Sequence, residues 1–316
     1  MDRVLVDVRS AGVNHSDWLM VSGHHHAKMV KGAIPGYELS GVVRAVGEGV
    51  EDFREGDRVL GLKTVSTGAY AQQCLVNQRE LYKIPHSLSY EIAACIAVPY
   101  CTAMLALKNV VRVKEGENVL VITSRGSTGL AATDLAINLH KCNVIAAAES
   151  EPKCALLRPK GVRATVDYGD ESIIKSVRKH TNNQGVDLVI DTVGGNLFEQ
   201  ALECVKPFGR ICAVGFSSGH IPNVNLQELN RHQVVLAGIW LGGFARLYPD
   251  KFHEMVEELI SLLDEQYIDP LVATRFNLSQ INEALEHVAA QSTMGKTVIN
   301  IDAEETLDDK TKEEDD

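Results

Sequence analysis

The second half of the chain alternates short apolar runs with helix-like segments, and this alternation restricts the possible folds more than any other feature. The runs are NVLVI (118–122), CNVIAAA (142–148), VDLVIDTV (186–193) and GRICAVGF (209–216). They alternate little between apolar and polar residues, which is typical of strands buried on both faces. Helical patterns follow the first three runs at 128–140, 151–160 and 195–205. This succession predicts an α/β domain with a doubly wound parallel sheet and crossover helices.

Residues 1–98 show a different pattern, in which short strand-like runs are separated by glycine-rich turns. The runs are RVLVDVRS, LSGVVRAVGEGV, DRVLGL and YAQQCLV. No helical period of useful length occurs before SYEIAACIAVPYCTAMLAL (89–107). The sequence therefore predicts a β-rich domain over 1–98, followed by the doubly wound domain over 99–248.

The charge balance restricts the partners of this 316-residue chain. Its formal net charge of −11 argues against a nucleic-acid surface as the main binding site. No apolar run reaches the length of a membrane span, and MDRVLVDVRSAGVN (1–14) lacks the apolar core of a signal peptide. We therefore expect a cytoplasmic protein without a membrane partner. The acidic residues 302–316 are expected to form a disordered tail.

The chain has seven cysteines, an odd number, and none of them forms a C-x-x-C pair. They are Cys74, Cys95, Cys101, Cys142, Cys154, Cys204 and Cys212. Such scattered cysteines are typical of small buried hydrophobic side chains in a reducing compartment. The spacing does not indicate a disulfide framework or a zinc site.

The segment VITSRGSTGLAATDLAINL (121–139) reads as a strand, a glycine turn and a helix. Gly126 stands where the backbone must approach a pyrophosphate, and Gly129 stands where helix and strand must pack closely. The helix start offers free N–H groups and a positive dipole end, to which Ser127 and Thr128 add hydroxyl donors. Many such turns carry glycine for packing alone, so this segment leaves both a dinucleotide site and a structural turn open.

The next strand ends in VIAAAESEPK (144–153), where a dinucleotide-binding domain contacts the adenosine ribose. Glu149 lies 20 residues after Gly129, and an acidic residue there favours the free 2′-hydroxyl of NAD. Ser150 and Lys153 favour the 2′-phosphate of NADP. Lys153 can neutralise Glu149, or Glu149 can point to water, so these residues leave the choice of coenzyme open.

Several longer segments carry a family resemblance. They include AGVNHSDWLMVSG (11–23), IPGYELSGVVRAVGEGVEDFREGDRVLGL (34–62), VPYCTAMLAL (98–107), DTVGGNLFEQALECVKPFGRICAVGFSSG (191–219) and MGKTVINI (294–301). Together with the glycine turn, they make the chain resemble the medium-chain dehydrogenase/reductase superfamily, in particular its zinc-free, zeta-crystallin-like quinone oxidoreductase branch. The resemblance implies a GroES-like catalytic domain (1–98), a Rossmann NADPH-binding domain (99–248) and a segment (249–301) that returns to the catalytic domain.

The resemblance also implies a set of cofactor-binding residues. They are Thr102, Gly126, Ser127, Thr128, Gly129, Ser150, Lys153, Tyr168, Gly215 and Phe216. The family turn A-x-x-G-x-x-G places its two glycines at Gly126 and Gly129. Ser150, Lys153 and Tyr168 match the positions that hold the 2′-phosphate of NADPH, whereas Glu149 departs from the family pattern and keeps NADH open.

Further positions are implied near the reacting ring. Thr102 matches the threonine near the nicotinamide, and Gly215 and Phe216 end a strand on the ligand side of the sheet. Asn14 matches the asparagine that faces the nicotinamide ribose and the substrate. It is the expected catalytic residue, as a hydrogen-bond donor or as an orienting group for the cofactor.

Zinc is not expected as a cofactor. Zinc-dependent members carry a Cys where this chain has Asn14 and a His where it has Tyr37, so a three-ligand catalytic site is missing. The run His24, His25 and His26 is interpreted as a solvated loop, because three consecutive residues cannot easily bind one ion. The chain also lacks the family's first strands, about two dozen residues, so a mitochondrial location stays open if the N-terminus is truncated.

The resemblance implies a zinc-independent enzyme that transfers a hydride from NADPH to a quinone or an α,β-unsaturated carbonyl compound. Two alternatives stay open: an enoyl-thioester reductase acting on a CoA or carrier-protein substrate, and a weakly active NADPH-binding protein with a structural, sensing or RNA-binding role. We expect a homodimer, with VVLAGIW (234–240) as the candidate edge strand by analogy.

Overall fold

The computed structural model describes residues 2–25, 29–64, 67–123, 126–290 and 294–301. The chain divides into two compact units. Unit 1 comprises Met1–Cys95, Thr274–Ala290 and Thr297–Asp316, and unit 2 comprises Ile96–Ala273 and Gln291–Lys296. The acidic tail expected at 302–316 lies outside the described residues.

The elements are numbered in chain order. The strands are β1 (Arg3–Val13), β2 (Glu38–Val46), β3 (Arg58–Leu62), β4 (Gln73–Asn77), β5 (Leu81–Lys83), β6 (Asn118–Ile122), β7 (Asn143–Ala148), β8 (Ala164–Asp167), β9 (Val186–Asp191), β10 (Val205–Ala213), β11 (Val235–Gly238), β12 (Val272–Asn277) and β13 (Lys296–Asn300). The α-helices are α1 (His15–Val21), α2 (Tyr90–Met104), α3 (Thr128–Asn138), α4 (Glu151–Leu157), α5 (Ile173–His180), α6 (Asn196–Cys204), α7 (Leu226–His232), α8 (Leu241–Leu247), α9 (Pro249–Asp264) and α10 (Ile281–Ala290).

Unit 1 is built around the long strand β1, which pairs antiparallel with β2, β4 and β13. The sheet has the order β12-β13-β1-β2-β3-β5, with β4 on β1. Along β1, Val4, Val6 and Val8 point into the core, while the residues between them are more exposed. This alternation is what a strand with one buried face requires. Burying each such side chain contributes about 1.5–3 kcal/mol.

Helix α1 is an element that the sequence pattern did not predict. It has seven residues, too few to show a helical period. Its start is stabilised by a side chain in the first turn, because the Asn14 N–H donates to Asp17 Oδ2 at 2.9 Å. The β-rich domain predicted over 1–98 therefore includes this short helix, which the sequence pattern does not show.

Unit 2 contains the parallel sheet predicted from the apolar runs. Its order is β11-β10-β9-β6-β7-β8, and the recorded pairings are all parallel. The first strand of this unit, β6, lies in the middle, and the chain proceeds outward to β8 before it returns to β9 on the other side. This reversal creates a topological switch point between β6 and β9, where ligands bind at the carboxyl ends of the strands. The predicted fold class, with a doubly wound parallel sheet in one unit and a β-rich domain in the other, is confirmed.

The apolar segment around α2 corrects one expectation. Tyr90–Val110, which is α2 with its π-helical continuation, is long and apolar enough to cross a membrane, with a mean hydropathy of 1.6. The prediction that no apolar run reaches the length of a membrane span is therefore wrong. Of an 18-residue window in this segment, 72% is buried within the protein, so most of its apolar surface is covered by other residues. The seven cysteines are all buried, as expected for small hydrophobic side chains.

Candidate functional site

The glycine turn follows β6 at the switch point of unit 2. Gly126 has φ +76°, and a Cβ added there would meet no atom within 4 Å, so the backbone is open to a ligand. Gly129 is closely packed instead, since its Cβ would lie 2.3 Å from Thr123 Oγ1. The two glycines thus differ in their surroundings: Gly126 leaves space for a ligand, and Gly129 lies in close packing against Thr123. Ser124 and Arg125, which complete the turn, lie outside the described residues.

Helix α3 begins directly after this turn. Ser127 is its N-cap, and Thr128 is its first residue. The Ala131 N–H, in the first turn of the helix, donates to Ser127 O at 2.9 Å. The N–H groups before it lie at the positive end of the helix dipole, which is suited to a pyrophosphate.

A buried carboxylate holds α3 in place. Asp134, 1% exposed, accepts hydrogen bonds from the Tyr100 hydroxyl, the Asn138 amide and the Asp269 N–H, each at 2.8 Å. Lys160 Nζ lies 3.5 Å from the same carboxylate. This network joins α3 to α2 and to two other segments of unit 2, so it determines where the turn before α3 lies.

The residues predicted for the adenosine end come together at the ends of β7 and β8. Ser150 is the N-cap of α4, and the Tyr168 N–H donates to Ala148 O at 2.9 Å. Lys153 Nζ lies 2.5 Å from Glu149 Oε1, with the two side chains 12% and 28% exposed. Of the alternatives left open by the sequence, neutralisation of Glu149 by Lys153 is the one observed.

The residues predicted near the nicotinamide lie on different elements of the chain. Gly215 follows β10 and donates its N–H to Asp191 O at 3.3 Å. Phe216 packs on Gly194, whose Cβ would lie 2.9 Å from the Phe216 ring. Thr102 lies on α2, where its hydroxyl donates to Val98 O at 2.6 Å within the same helix. The carboxyl edge of the sheet therefore carries the turn, the adenosine-end residues and Gly215 with Phe216.

Unit 1 holds a second group of functional candidates, which we call the polar cluster. It consists of Asn14, Ser16, Asp17, Tyr37, Glu38 and Tyr70. The Asn14 amide donates to Glu38 Oε2 at 3.1 Å. The hydroxyl groups of Ser16 and Tyr37 are hydrogen-bonded to each other. Gly36, at φ +83°, allows the chain to pass over the Tyr70 ring, because a Cβ there would lie 2.6 Å from it.

Burial controls the electrostatics of this cluster. Asp17 and Glu38 are both 0% exposed. Burial, and after it the charge of Asp17, raises the pKa of Tyr37 well above its ordinary value, and the same two causes raise the pKa of Tyr70. Both phenols therefore keep their protons at neutral pH and can donate hydrogen bonds.

Sequence reasoning missed Ser16 and Glu38 as parts of this cluster. Ser16 is an ordinary residue of a short helix that the pattern did not predict. Glu38 carried a signal that could have been used, since it is a charged residue opening the apolar strand β2 directly after a glycine turn. A carboxylate in such a position is rarely buried unless it is paired.

The donor set of the polar cluster does not fit a catalytic zinc site. Among the described residues, no group of three or more His, Cys, Asp or Glu side chains could hold a metal ion. A tetrahedral zinc site takes thiolate, imidazole and carboxylate ligands, whereas this cluster offers an amide and phenols beside its carboxylates. His24 stacks on Trp18 with ring centroids 6.1 Å apart, and His26 lies outside the described residues.

Comparison with known proteins identifies the family of the chain. Residues 1–86 match the alcohol dehydrogenase GroES-like domain, and residues 127–262 match the zinc-binding dehydrogenase family. Quinone oxidoreductase-like protein 2 from Rattus norvegicus is 34% identical, over 94% of this chain and 85% of the relative. Its homolog from Nematostella vectensis is 35% identical, over 94% of this chain and 81% of the relative.

A solved structure shows the same fold. Escherichia coli quinone oxidoreductase complexed with NADPH superposes with a TM-score of 0.87 at 25% identity, covering 95% of this chain and 91% of that one. The relatives confirm the resemblance that the sequence segments indicated. The chain therefore belongs to the medium-chain dehydrogenase/reductase superfamily, as a quinone oxidoreductase-like oxidoreductase.

Proposed function

We propose that the protein reduces a quinone or an α,β-unsaturated carbonyl compound with NADPH and without zinc. The observation that carries this proposal is the turn at the switch point, where Gly126 is open to a ligand and Gly129 brings α3 against β6. The NADPH complex of the related E. coli enzyme supports the choice of coenzyme.

The residues at the carboxyl edge of unit 2 fit a dinucleotide. The turn and the start of α3, with the hydroxyl groups of Ser127 and Thr128, would hold the pyrophosphate. Lys153, with Ser150 and Tyr168, would hold the 2′-phosphate. Gly215, Phe216 and Thr102 would lie near the nicotinamide, as the family resemblance implies. Bound NADPH would supply a hydride, which carries two electrons.

The substrate class follows from chemistry that does not need a metal. A quinone or conjugated carbonyl spreads the charge of an added hydride onto its oxygen, so the protein must mainly orient it and donate a hydrogen bond. Asn14, which the family resemblance places beside the nicotinamide ribose and the substrate, would act as an orienting group. Its amide is held by Glu38, which fixes its orientation.

We further propose a cytoplasmic homodimer. Within the described residues, β11 forms the edge of its sheet, and Val235 on it is 58% exposed. Trp240, Leu247 and Tyr248 nearby in sequence are also exposed, at 52%, 68% and 51%. An apolar sheet edge of this kind is suited to pairing with a second copy. Sedimentation of the wild type and of Val235→Lys tests this, since a dimer through β11 must dissociate in the variant.

The function is tested by binding and turnover together. Calorimetric titration with NADPH should show one site per chain, and NADPH oxidation should be followed with phenanthrenequinone, an alkenal and an enoyl-CoA. Turnover of either of the first two compounds supports the proposal. Turnover of the enoyl-CoA alone identifies an enoyl-thioester reductase, and tight NADPH binding without turnover identifies a binding protein. Absence of NADPH binding at millimolar concentration rejects the whole assignment.

A further inference from the structure

The polar cluster of unit 1 contains three side chains that can donate a hydrogen bond to a substrate oxygen. They are the amide of Asn14 and the phenols of Tyr37 and Tyr70. A donor of this kind is useful only if its proton can be directed at a ligand. The three side chains have different hydrogen-bond partners within the protein, and these partners decide which of the three can donate to a substrate.

Two of the three are directed at the protein interior. The Asn14 amide donates to Glu38 Oε2 at 3.1 Å, so one of its protons serves to hold the residue. Tyr70 is 6% exposed, and its hydroxyl contacts Gly12 O at 3.4 Å and Asp17. A buried phenol between a carbonyl and a carboxylate has acceptors in the protein and little access to a ligand.

Tyr37 is arranged differently. It is only half-buried, and the partner of its hydroxyl is the hydroxyl of Ser16, which is also half-buried. A pair of hydroxyl groups can run in either direction, because each is both donor and acceptor. When Ser16 donates to Tyr37, the phenolic proton becomes available to a second acceptor, and the Tyr37 oxygen remains hydrogen-bonded.

The charges behind Tyr37 favour its protonated form. The carboxylates of Asp17 and Glu38 are fully buried beside it. Burial is the first cause that raises the pKa of this phenol, and the charge of Asp17 is the second. Tyr37 thus keeps its proton at neutral pH and can donate it in a hydrogen bond.

We propose that Tyr37 donates the hydrogen bond, and then the proton, to the carbonyl oxygen of the substrate, and that Ser16 replaces that proton. The proposal rests on the proposed reductase function. The substrate gains two electrons and one hydrogen with the hydride and becomes an oxyanion. The Tyr37 O–H bond breaks as a new O–H bond forms on that oxyanion. As the phenolate takes the Ser16 proton, Ser16 takes one from a water molecule, and the hydroxide that remains passes to the solvent, so atoms and charge balance.

The test compares Tyr37→Phe with the wild type in turnover and in binding. We expect kcat to fall about hundredfold or more, the usual contribution of a general acid, with the Kd for NADPH unchanged. The second readout uses 4-nitrophenolate, a stable aromatic oxyanion, added to the protein without coenzyme. Its Kd should rise about tenfold in Tyr37→Phe, which corresponds to one lost hydrogen bond to a charged group.

Two further variants provide a control for the loss of a phenol and a test of the proton relay. Tyr82→Phe removes a phenol from β5, outside the polar cluster, and should leave kcat and the Kd of 4-nitrophenolate within twofold. Ser16→Ala keeps the donor but removes the relay. It should lower kcat and change the solvent isotope effect while 4-nitrophenolate still binds.

The proposal and the reductase function fail in different ways. If wild-type turnover is found and Tyr37→Phe keeps kcat and 4-nitrophenolate affinity, Tyr37 is not the donor. If no quinone or enone is reduced by the wild type, the reductase function fails, and the 4-nitrophenolate comparison still decides about Tyr37. A tenfold loss then supports its role as a donor to an oxyanion, and an unchanged Kd rejects it.

Discussion

The Lys153 ammonium lies 2.5 Å from a carboxylate oxygen of Glu149, four residues earlier in the chain. Lys153 is the cation expected to bind the 2′-phosphate of NADPH, and its side chain is only 12% exposed. A phosphate entering this position must therefore compete with an internal carboxylate for the same cation. Glu149 should lower the preference for NADPH over NADH, because NADH carries no charge at that position.

The first prediction concerns this pair. Glu149→Gln frees Lys153, so the Kd for NADPH should fall about tenfold, equivalent to about 1.4 kcal/mol, while the Kd for NADH stays within twofold. Calorimetry with both coenzymes measures this. Glu151→Gln is the matched control, since Glu151 pairs with Arg158 on the exposed side of α4. Equal changes for both coenzymes would show that Glu149 does not act on the 2′-phosphate.

The second prediction concerns the packed glycine of the turn. In Gly129→Ala the new Cβ would lie 2.3 Å from Thr123 Oγ1, so α3 must shift. Overpacking of this kind costs about 1–3 kcal/mol, which exceeds the helix-propensity gain of about 0.5–1 kcal/mol from alanine. We expect lower stability in urea unfolding and a raised Kd for NADPH. Gly238→Ala is the control, because a Cβ there meets no atom within 4 Å.

The third prediction concerns the buried carboxylate under α3. Asp134→Asn places an amide N–H against the donors of Tyr100 or Asp269 and removes the charge that faces Lys160. We expect a loss of about 3 kcal/mol in the free energy of unfolding, since the partners of a buried charge are left unsatisfied. Urea unfolding monitored by circular dichroism measures it. Asp52→Asn, at an exposed turn, should change little, and equal stability of the two variants would contradict the prediction.

The fourth prediction concerns pH. Arg275 donates to both oxygens of Glu91, at 2.9 and 3.0 Å, and holds the pKa of that carboxyl below its ordinary value of 4.5. A carboxyl whose pKa is lowered by folding stabilises the protein above its unfolded pKa, and this contribution is lost as pH falls through the folded pKa. Arg275 is half-exposed, so the pair contributes under about 1 kcal/mol.

The stability difference between the wild type and Arg275→Ala should therefore be largest near neutral pH and shrink below about pH 4.5. Urea unfolding of both proteins over this range tests it. Lys108→Ala, which removes a different exposed ion pair, with Glu258, indicates how much any surface pair contributes. A difference that grows on acidification would contradict the assignment.

The sequence predicted the parallel sheet and the positions of its turns with good accuracy. In the run 118–122 the last four residues are apolar and buried, and only a strand covered on both faces buries four consecutive residues in this way. The segment 128–140 was predicted as a helix and forms Thr128–Asn138, because its period extends over three turns. Short elements such as α1 were missed, since seven residues do not establish a period.

The sequence alone was sufficient to predict the strands, the glycine turn and the family. These features follow from local periodicity and from residues adjacent in sequence. It did not show that Tyr37 meets Ser16, 21 residues earlier, or that Glu38 holds Asn14. The sequence also left open whether the Glu149 side chain points to water or pairs with Lys153. In the folded protein it forms the ion pair with Lys153. Burial and hydrogen-bond partners depend on which distant segments pack together, and charges and protons respond to that packing rather than to neighbours in sequence.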